Sequence, residues 1–446
     1  MLISELEQTD VAILGAGREG NSALRWLRRQ FPGKSLTVYD EAAQSDETDT
    51  EVRWVNGALD AEQLCRHELL IRSPGISPYR PALQSALAAG TRCTTASSLW
   101  FAAHPEANTV CLTGTKGKST TAALTAHLME SAGFSVQLAG NIGRPLLDCP
   151  DEVVDWWVIE LSSYQLADLE ASPGIAVILN VSDEHLDWHV DASTYRRDKL
   201  RLAALNPDAP LVLNHEDALL RHEFADRKHV TWFGRSGGWH VQGGQLFNGA
   251  GRAQPVPRDA LPGAHNLENL AASLSILQAA DLRAPDLPHA LDGFRGLPHR
   301  LQRLGVAAGV EYVNDSLSTT PVATLAALEA FRDRSVILLL GGLDRGLDWS
   351  ESLARMQALC PEAVICLPDS GPQIAEAMQR AGLRPERGVH VVEGLQEGMR
   401  QASELARPGD LVLLSPGAPS FPRFRDYAER GRRFAELSGL GLPDTE

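Results

Sequence analysis

The sequence predicts an α/β protein of about three domains, on three observations. Its 446 residues, at the usual ~150 residues per domain, suggest three hydrophobic cores rather than one. Short β-branched or aliphatic runs alternate with longer amphipathic stretches from end to end, the pattern of helices wrapped around parallel sheets. Two strands run straight into glycine-rich turns followed by helical patterns, as in nucleotide-binding α/β units.

Composition narrows the class. Lys+Arg number 41 against 57 Asp+Glu, a net charge of −16, so a general binder of nucleic-acid backbone, which needs a basic face, is disfavoured. The charged fraction of 22% and hydrophobic fraction of 43% describe a chain that folds rather than a disordered one. The opening residues MLISELEQTD lack the cationic and apolar regions of a secretory signal. The longest aliphatic runs, such as Val336 to Leu340, fall far short of the ~20 residues that span a bilayer. Six cysteines without a Cys-x-x-Cys pair imply buried thiols in a reducing cytoplasm, not a disulfide framework or zinc cluster.

The strands are placed at Val11 to Leu14, Leu36 to Tyr39, Val110 to Thr113, Val158 to Glu160, Ile175 to Val181, Val336 to Leu340 and Leu411 to Leu414. A first domain boundary falls at the polar stretch Ala103 to Asn108 and a second near Leu297-Pro298, giving domains 1–104, 105–298 and 299–446. The Gly-, Gln- and Pro-rich segment Gly234 to Arg258 reads as loops or short hairpins within the middle domain.

After the first strand comes Gly15-Ala-Gly17-Arg-Glu-Gly20, then a helical pattern from Asn21 to Gln30, with Asp40 closing the next strand. Such glycines admit a pyrophosphate at a helix N-terminus, and the acid about 20 residues on meets a ribose. The motif does not say which nucleotide, and a tight turn needing glycine only for its backbone is the plain alternative. Ser73-Pro-Gly-Ile76 forms a second turn whose N–H groups could face phosphate. The stronger motif follows Val110 to Thr113: Gly114-Thr115-Lys116-Gly117-Lys118-Ser119-Thr120, then a helix from Thr121 to Glu130. It is a shortened phosphate loop. Its N–H groups would cradle ATP phosphates, Lys118 would reach the terminal ones and Ser119 would hold Mg²⁺.

A magnesium ion needs hard oxygen ligands. The strand ending in Glu160, beside Ser162 and Ser163, resembles a Walker-B arrangement. Ser182-Asp-Glu-His185-Leu-Asp187 brings oxygen and imidazole groups to the same carboxyl end of the sheet.

Motifs in consistent order then resemble the Mur ligases, the ATP-dependent amide ligases that build the peptidoglycan stem peptide. They are Gly114 to Thr120, Gly140-Asn141-Ile-Gly143, Glu160-Leu-Ser162-Ser-Tyr-Gln165, Asn180 to His185 with Asp187, Tyr195 to Lys199, His265-Asn266-x-x-Asn269, Gly296 to Arg300 and Asn314-Asp315-Ser316. Ser415 to Phe421 with Glu429-Arg-Gly431 is similar to the C-terminal signature of the glutamate-adding branch.

The resemblance implies a Rossmann-like N-terminal domain, a central P-loop ATPase-type domain with a parallel sheet, and a Rossmann-like C-terminal domain that binds the amino acid. The first would hold UDP-N-acetylmuramoyl-L-alanine through Gly15, Gly17 and Ser73, with Asn141, Ser162 and Gln165 reaching in from the second. Gly114 to Thr120 would bind ATP, Asn266 and Asn269 the adenine side, with Arg300 and Asp315 completing that site. Two Mg²⁺ ions would sit on Ser119, Glu160, His185 and Lys199. Composition alone makes Lys199, flanked by Arg197, Asp198 and Arg201, a solvated helix face; the resemblance makes it a carbamylated ligand. The enzyme would be a cytoplasmic monomer that passes the alanine carboxylate through an acyl phosphate to glutamate.

Three positions depart from D-glutamate enzymes of this resemblance: Leu317 replaces a cation, Arg345 stands for lysine and Tyr427 for phenylalanine. Arginine meets a carboxylate as a planar fork and lysine as a point charge. With Thr319 and Ser420, Arg345 and Tyr427 are the candidate glutamate contacts. The changes lean towards L-glutamate, with an epimerase acting on the product; drift within a D-glutamate enzyme is the alternative. An NAD-dependent oxidoreductase, which explains Gly15 to Asp40 but leaves Lys118, Glu160 and Arg300 without a role, and a nucleotide-binding regulatory module, which explains the phosphate loop without amide chemistry, are the rival classes.

Overall fold

The computed structural model describes residues 3–41, 49–184, 186–257, 261, 263–294 and 296–441. Contacts gather the chain into two compact units, Met1–Val256 with Glu268–Leu291, and Pro257–Leu267 with Asp292–Glu446.

The first unit contains two parallel sheets. One is built from β1 (Val11–Leu14), β2 (Leu36–Asp40), β3 (Val52–Asn56), β4 (Leu69–Arg72) and β5 (Arg92–Thr95), in the order β3-β2-β1-β4-β5. β1 and β4 are buried at every residue, as expected for strands covered on both faces. Strand order reverses beside β1, so the turns after β1 and β4 open together at a topological switch point, where such sheets bind ligands.

The other comprises β6 (Thr109–Thr113), β7 (Val136–Gly140), β8 (Trp156–Glu160), β9 (Ile175–Ile178), β10 (Leu211–Asn214) and β11 (Val230–Phe233), in the order β11-β10-β9-β6-β8-β7. β6 lies between β8 and β9. The segments leaving these three strands therefore meet at one edge, although they are far apart in sequence. One hydrophobic cluster runs through both sheets: Trp100, on the helix Ala96–Ala103, packs on Trp157 of β8 with ring centroids 4.7 Å apart. The segment read as loops or hairpins contains a small antiparallel sheet of β12 (His240–Gln242), β13 (Gln245–Phe247) and β14 (Ala253–Gln254).

The second unit holds β15 (Gln302–Ala307), β16 (Val310–Asn314), β17 (Val336–Leu340), β18 (Ala363–Cys366), β19 (Val389–Val391) and β20 (Leu411–Leu414), in the order β15-β16-β20-β17-β18-β19. Among the described strands of this sheet, only the β15–β16 pair is antiparallel. Leu338 and Leu340 enter the core on one face, Ile337 and Leu339 that on the other, the two-residue alternation of a strand. That accounts for the uninterrupted aliphatic run.

All six cysteines are free, but only Cys111, Cys149 and Cys366 are buried. Cys65 and Cys360, expected to be buried, are exposed, because each terminates a short helical turn at the surface. Among the described residues no helix is long and apolar enough to cross a membrane.

Candidate active site

The phosphate loop is braced from beneath by the segment that follows β9. The Thr115 N–H donates to the Asn180 carbonyl at 3.0 Å and the Lys116 N–H to Asn180 Oδ1 at 2.8 Å. The Asn180 amide returns a bond to the Lys116 carbonyl at 3.0 Å. Thr115 Oγ1 lies 2.8 Å from the Tyr195 hydroxyl. Gly117 sits at φ +82°, the left-handed region that glycine adopts without strain, and a Cβ there would stand 2.5 Å from Asn269 Oδ1. The helix is Lys118–Ser131, three residues earlier than the periodicity suggested. Its first N–H groups therefore belong to the loop itself. Lys118 Nζ donates to the Gly114 and Thr115 carbonyls at 2.9 and 3.1 Å. Ser119 is half-buried and Thr120 buried at the start of the same helix.

At the end of β8, Glu160 is fully buried. Asn141 holds one of its carboxylate oxygens, Nδ2 donating to Oε1 at 2.6 Å. The other, Oε2, is buried with no hydrogen-bond partner, a costly state for a carboxylate oxygen and one that a cation would relieve. Asn141, expected to reach towards the sugar nucleotide, thus has its amide on Glu160. His185 lies outside the described residues. Among those described, no group of three His, Cys, Asp or Glu could hold a metal ion.

Lys199 overturns the composition-based expectation of a solvated helix face: it is 2% exposed. It lies on the helix Ala192–Leu205, one turn past Tyr195, with Nζ 5.0 Å from the Tyr195 ring centre. Burial, reinforced by the Lys118 cation, pushes its amine down to about 7 against the opposing pull of Glu184 and Glu160. A half-neutral amine at physiological pH is a nucleophile, which a solvated lysine is not.

In the first sheet, Ser73 Oγ donates to the Gly15 carbonyl at 2.7 Å, tying together the two turns at the switch point. A Cβ at Gly20 would meet the Gly15 carbonyl oxygen at 1.8 Å, so the third glycine serves close packing between helix and loop. The helix starts at Arg18 with Gly17 as N-cap, inside the motif. Asp40 receives the Ala16 N–H at 2.6 Å, so the acid expected to meet a ribose also braces the loop. Ser162 and Gln165 form a capping box on the helix Ser163–Leu166, and Gln165 Nε2 donates to Glu19 at 3.1 Å.

In the second unit, Asp315 is buried, accepting from the Leu301 N–H at 3.1 Å and Ser415 Oγ at 2.7 Å; burial pushes its carboxyl up to about 6. Arg300, half-buried, is among the charges that oppose that rise. Asn266 is buried near the start of the helix Ala264–Ala279. The segments after β16, β17 and β20 are stitched together: Gly417 N–H donates to Ser318 at 3.0 Å, and Leu343 N–H to Pro419 at 2.9 Å. Thr319 and Ser420 lie on two of these segments. Arg345, exposed on the third, lines a cavity of about 200 Å³ with Trp349, Ser370, Gln373 and Arg380. Tyr427, 40% exposed, starts the helix Tyr427–Ser438.

Residues 9–95 match the model of the Mur ligase MurD-like N-terminal domain, 112–277 that of the Mur ligase middle domain, and 299–417 that of the Mur ligase glutamate ligase domain. The chain is 43% identical over 454 residues to the UDP-N-acetylmuramoyl-L-alanine--L-glutamate ligase of Xanthomonas euvesicatoria, covering 99% of this chain and 97% of that protein. The chain belongs to the Mur ligase family. A Micromonospora protein of the same name is 38% identical, with 98% of each chain covered. The fold is similar to that of the UDP-N-acetylmuramate-alanine ligase MurC of Thermotoga maritima, with a TM-score of 0.62, 18% identity, and 96% of this chain and 98% of that one covered.

Sequence reasoning gave this Mur ligase no role for Arg430, although it lies in a quoted motif. The side chain is 1% exposed and donates to Ser316 Oγ, Ser316 O and Ala418 O at 3.0, 2.8 and 3.0 Å. It thereby holds two of the stitched segments. Its only signal was an arginine in a helical stretch, which usually means a solvated face.

The buried titratable groups set a stability signature. Lys199 is neutral in the folded chain but protonated when unfolded between about 7 and its ordinary 10.5. Its contribution therefore improves as pH rises through that window. Asp315 has the opposite sign, costing stability as pH rises from 3.8 to about 6. Lys199→Met is expected to raise the Tm near pH 7 and to lose that advantage near pH 10, checked by thermal melts across the range.

Proposed function

We propose that this chain is an ATP-dependent ligase that joins L-glutamate to UDP-N-acetylmuramoyl-L-alanine, releasing ADP and phosphate, in the cytoplasmic assembly of peptidoglycan precursors. The observation that carries this reading is the near full-length identity to ligases named for that reaction. The bracing of the phosphate loop and the orphaned Glu160 oxygen support it.

In this reading residues 1–104 bind the UDP-sugar through Gly15, Gly17 and Ser73, aided by Asn141, Ser162 and Gln165. Residues 105–298 bind ATP through Gly114 to Thr120, with Asn266 and Asn269 on the adenine side. Residues 299–446 bind glutamate and supply Arg300 and Asp315. The alanine carboxylate oxygen attacks the γ-phosphorus and ADP leaves, giving an acyl phosphate. The glutamate amine then forms the C–N bond, phosphate departs and the amine proton is released. Lys118 neutralises charge developing on the transferred group. Ser119, Glu160, His185 and Lys199 would hold two Mg²⁺ ions, whose charge would stabilise the same phosphoryl oxygens. Carbon dioxide adding to the neutral Lys199 amine, with loss of a proton, would make that residue a carbamate oxygen ligand. The enzyme would act as a monomer, and its product would pass to an epimerase.

Thr319, Arg345, Ser420 and Tyr427 are the proposed glutamate contacts. Arg345→Lys replaces a planar fork by a point charge, so the KM for glutamate should rise about 10-fold, the worth of one ~1.4 kcal/mol hydrogen bond. The KM for ATP should change much less; equal changes would remove Arg345 from the glutamate site. The function itself is tested by phosphate release with ATP, Mg²⁺ and UDP-N-acetylmuramoyl-L-alanine, run in parallel with L- and D-glutamate. Faster turnover with L-glutamate is expected. Preference for D-glutamate would make the departures at Leu317, Arg345 and Tyr427 drift, and no turnover with either would reopen the substrate assignment.

A further inference from the structure

A buried hydrogen-bond chain connects the first sheet to the helix that carries Lys199. The Tyr79 hydroxyl, beyond the turn after β4, lies 2.7 and 2.6 Å from the two carboxylate oxygens of Asp198. Asp198 Oδ2 lies 2.9 Å from His189 Nδ1, and His189 Nε2 lies 2.9 Å from Ser163 Oγ. His189 is 0%, Asp198 3% and Ser163 4% exposed. Serine, histidine and aspartate here have the connectivity of a hydrolytic triad. The serine is buried, however, and the aspartate is shared with a tyrosine, so the arrangement is built to position rather than to attack.

Two further contacts run parallel to it. Arg72, fully buried, donates to both oxygens of Asp168 at 2.7 and 2.5 Å, to the Ile76 carbonyl at 2.6 Å and to the Tyr164 carbonyl at 3.0 Å. Ser77 Oγ donates to the Trp188 carbonyl at 2.8 Å. The turn that begins at Ser73 is thus bonded to the chain after Glu160, to the chain after His185 and to the residue before Lys199. A buried carboxylate next to Lys199 is expensive unless it is fully hydrogen-bonded. Its geometric effect is specific. With Asp198 held towards Tyr79 and His189, the next residue points about 100° further round the helix, on the side of Tyr195 one turn earlier.

We propose that Tyr79, Asp198 and His189 are positioning residues that orient Lys199 and couple its helix to the turn at Ser73. The catalytic consequence rests on the ligase reading above; the coupling of turn to helix does not. Breaking the chain at either end misplaces Lys199 at the reacting centre while leaving the Asn180 brace of the phosphate loop and the glutamate contacts untouched.

The test uses the full chain with Tyr79→Phe, Asp198→Asn and the double variant. Each single change is expected to lower kcat roughly 10–100-fold, the usual cost of losing a group that orients a ligand. KM values for ATP and glutamate should stay within about threefold, because uniform binding is untouched. The double variant should be little worse than the worse single, as for residues acting in one chain. Amide hydrogen exchange in the ligand-free protein gives a second readout: Tyr79→Phe should speed exchange in residues 192–205 and spare 264–279. A lowered Tm with unchanged kcat and unchanged exchange in 192–205 would overturn the proposal, as would independent, multiplying effects in the double variant. If the parent protein shows no glutamate-dependent turnover, the ligase reading fails, and the exchange result alone decides the coupling.

Discussion

Replacing Lys118 with alanine is expected to cut glutamate-dependent phosphate release by at least roughly 10²–10³-fold, the range seen when one preorganised charge-stabilising donor is removed. The fold should be little affected. Lys118 is half-buried at the first turn of Lys118–Ser131, and alanine is a better helix former there. Its amine donates to two loop carbonyls, those of Gly114 and Thr115. The Lys199 amine would gain from the change, since the Lys118 cation is one cause of its depression. The decisive measurement is kcat for phosphate release with all three substrates, set beside the Tm. Near-normal turnover would remove Lys118 from the phosphate site, whereas a collapse of Tm would assign the loss to folding.

The second large effect is expected at Glu160→Gln. Side-chain shape is kept, and Asn141 Nδ2 can still donate to the remaining oxygen as it does now at 2.6 Å. The orphaned Oε2 is replaced by a neutral amide nitrogen, so no buried negative charge is left uncompensated. In metal-free protein the Tm should therefore stay level or rise. Activity should move the other way, falling roughly 10²-fold or more, because a hard cation prefers a carboxylate oxygen and the amide nitrogen offers no lone pair to it. A Mg²⁺ titration of phosphate release, with melts at low and high Mg²⁺, separates the two. Loss of the Mg²⁺-dependent rise in Tm is expected in the variant; an unchanged Mg²⁺ response would detach Glu160 from the metal.

These predictions fall on residues whose roles were accessible to very different degrees. Gly114 to Thr120 announced itself because a phosphate loop is contiguous: the strand, the glycines and the helix start are all encoded within a dozen residues. The same holds for the turn from Gly15 to Gly20, but only down to its shape. A backbone cradle at a helix N-terminus accepts any pyrophosphate, so the motif alone could not separate a dinucleotide from a UDP-sugar. It was the family match over 9–95, to a Mur ligase MurD-like N-terminal domain, and not the glycines, that placed the motif in a Mur ligase.

Lys199 shows the opposite case. Its neighbours Arg197, Asp198 and Arg201 describe a polar helix face, and that reading was wrong. The cause is non-local: Tyr195 covers the amine from one turn away, and Lys118 approaches from the loop after β6. No window of sequence contains those groups together. Tyr79, His189 and Arg72 were silent for the same reason, since each becomes meaningful only through partners more than eight positions away. Arg430 sat in a motif quoted for its resemblance, yet its burial against Ser316 and Ala418 depends on three segments converging at one sheet edge.

The chain itself carries the periodicities that make α/β sheets and the local motifs that make phosphate cradles, because both depend on residues within a turn or two of one another. Which carboxylate is left unpaired, which amine is stripped of water, and which aspartate holds its helix in register depend on the order β9-β6-β8 and on the joining of the first two sheets. Desolvation and hydrogen-bond satisfaction are properties of a residue's surroundings in space, and for these residues the surroundings are assembled from distant parts of the chain.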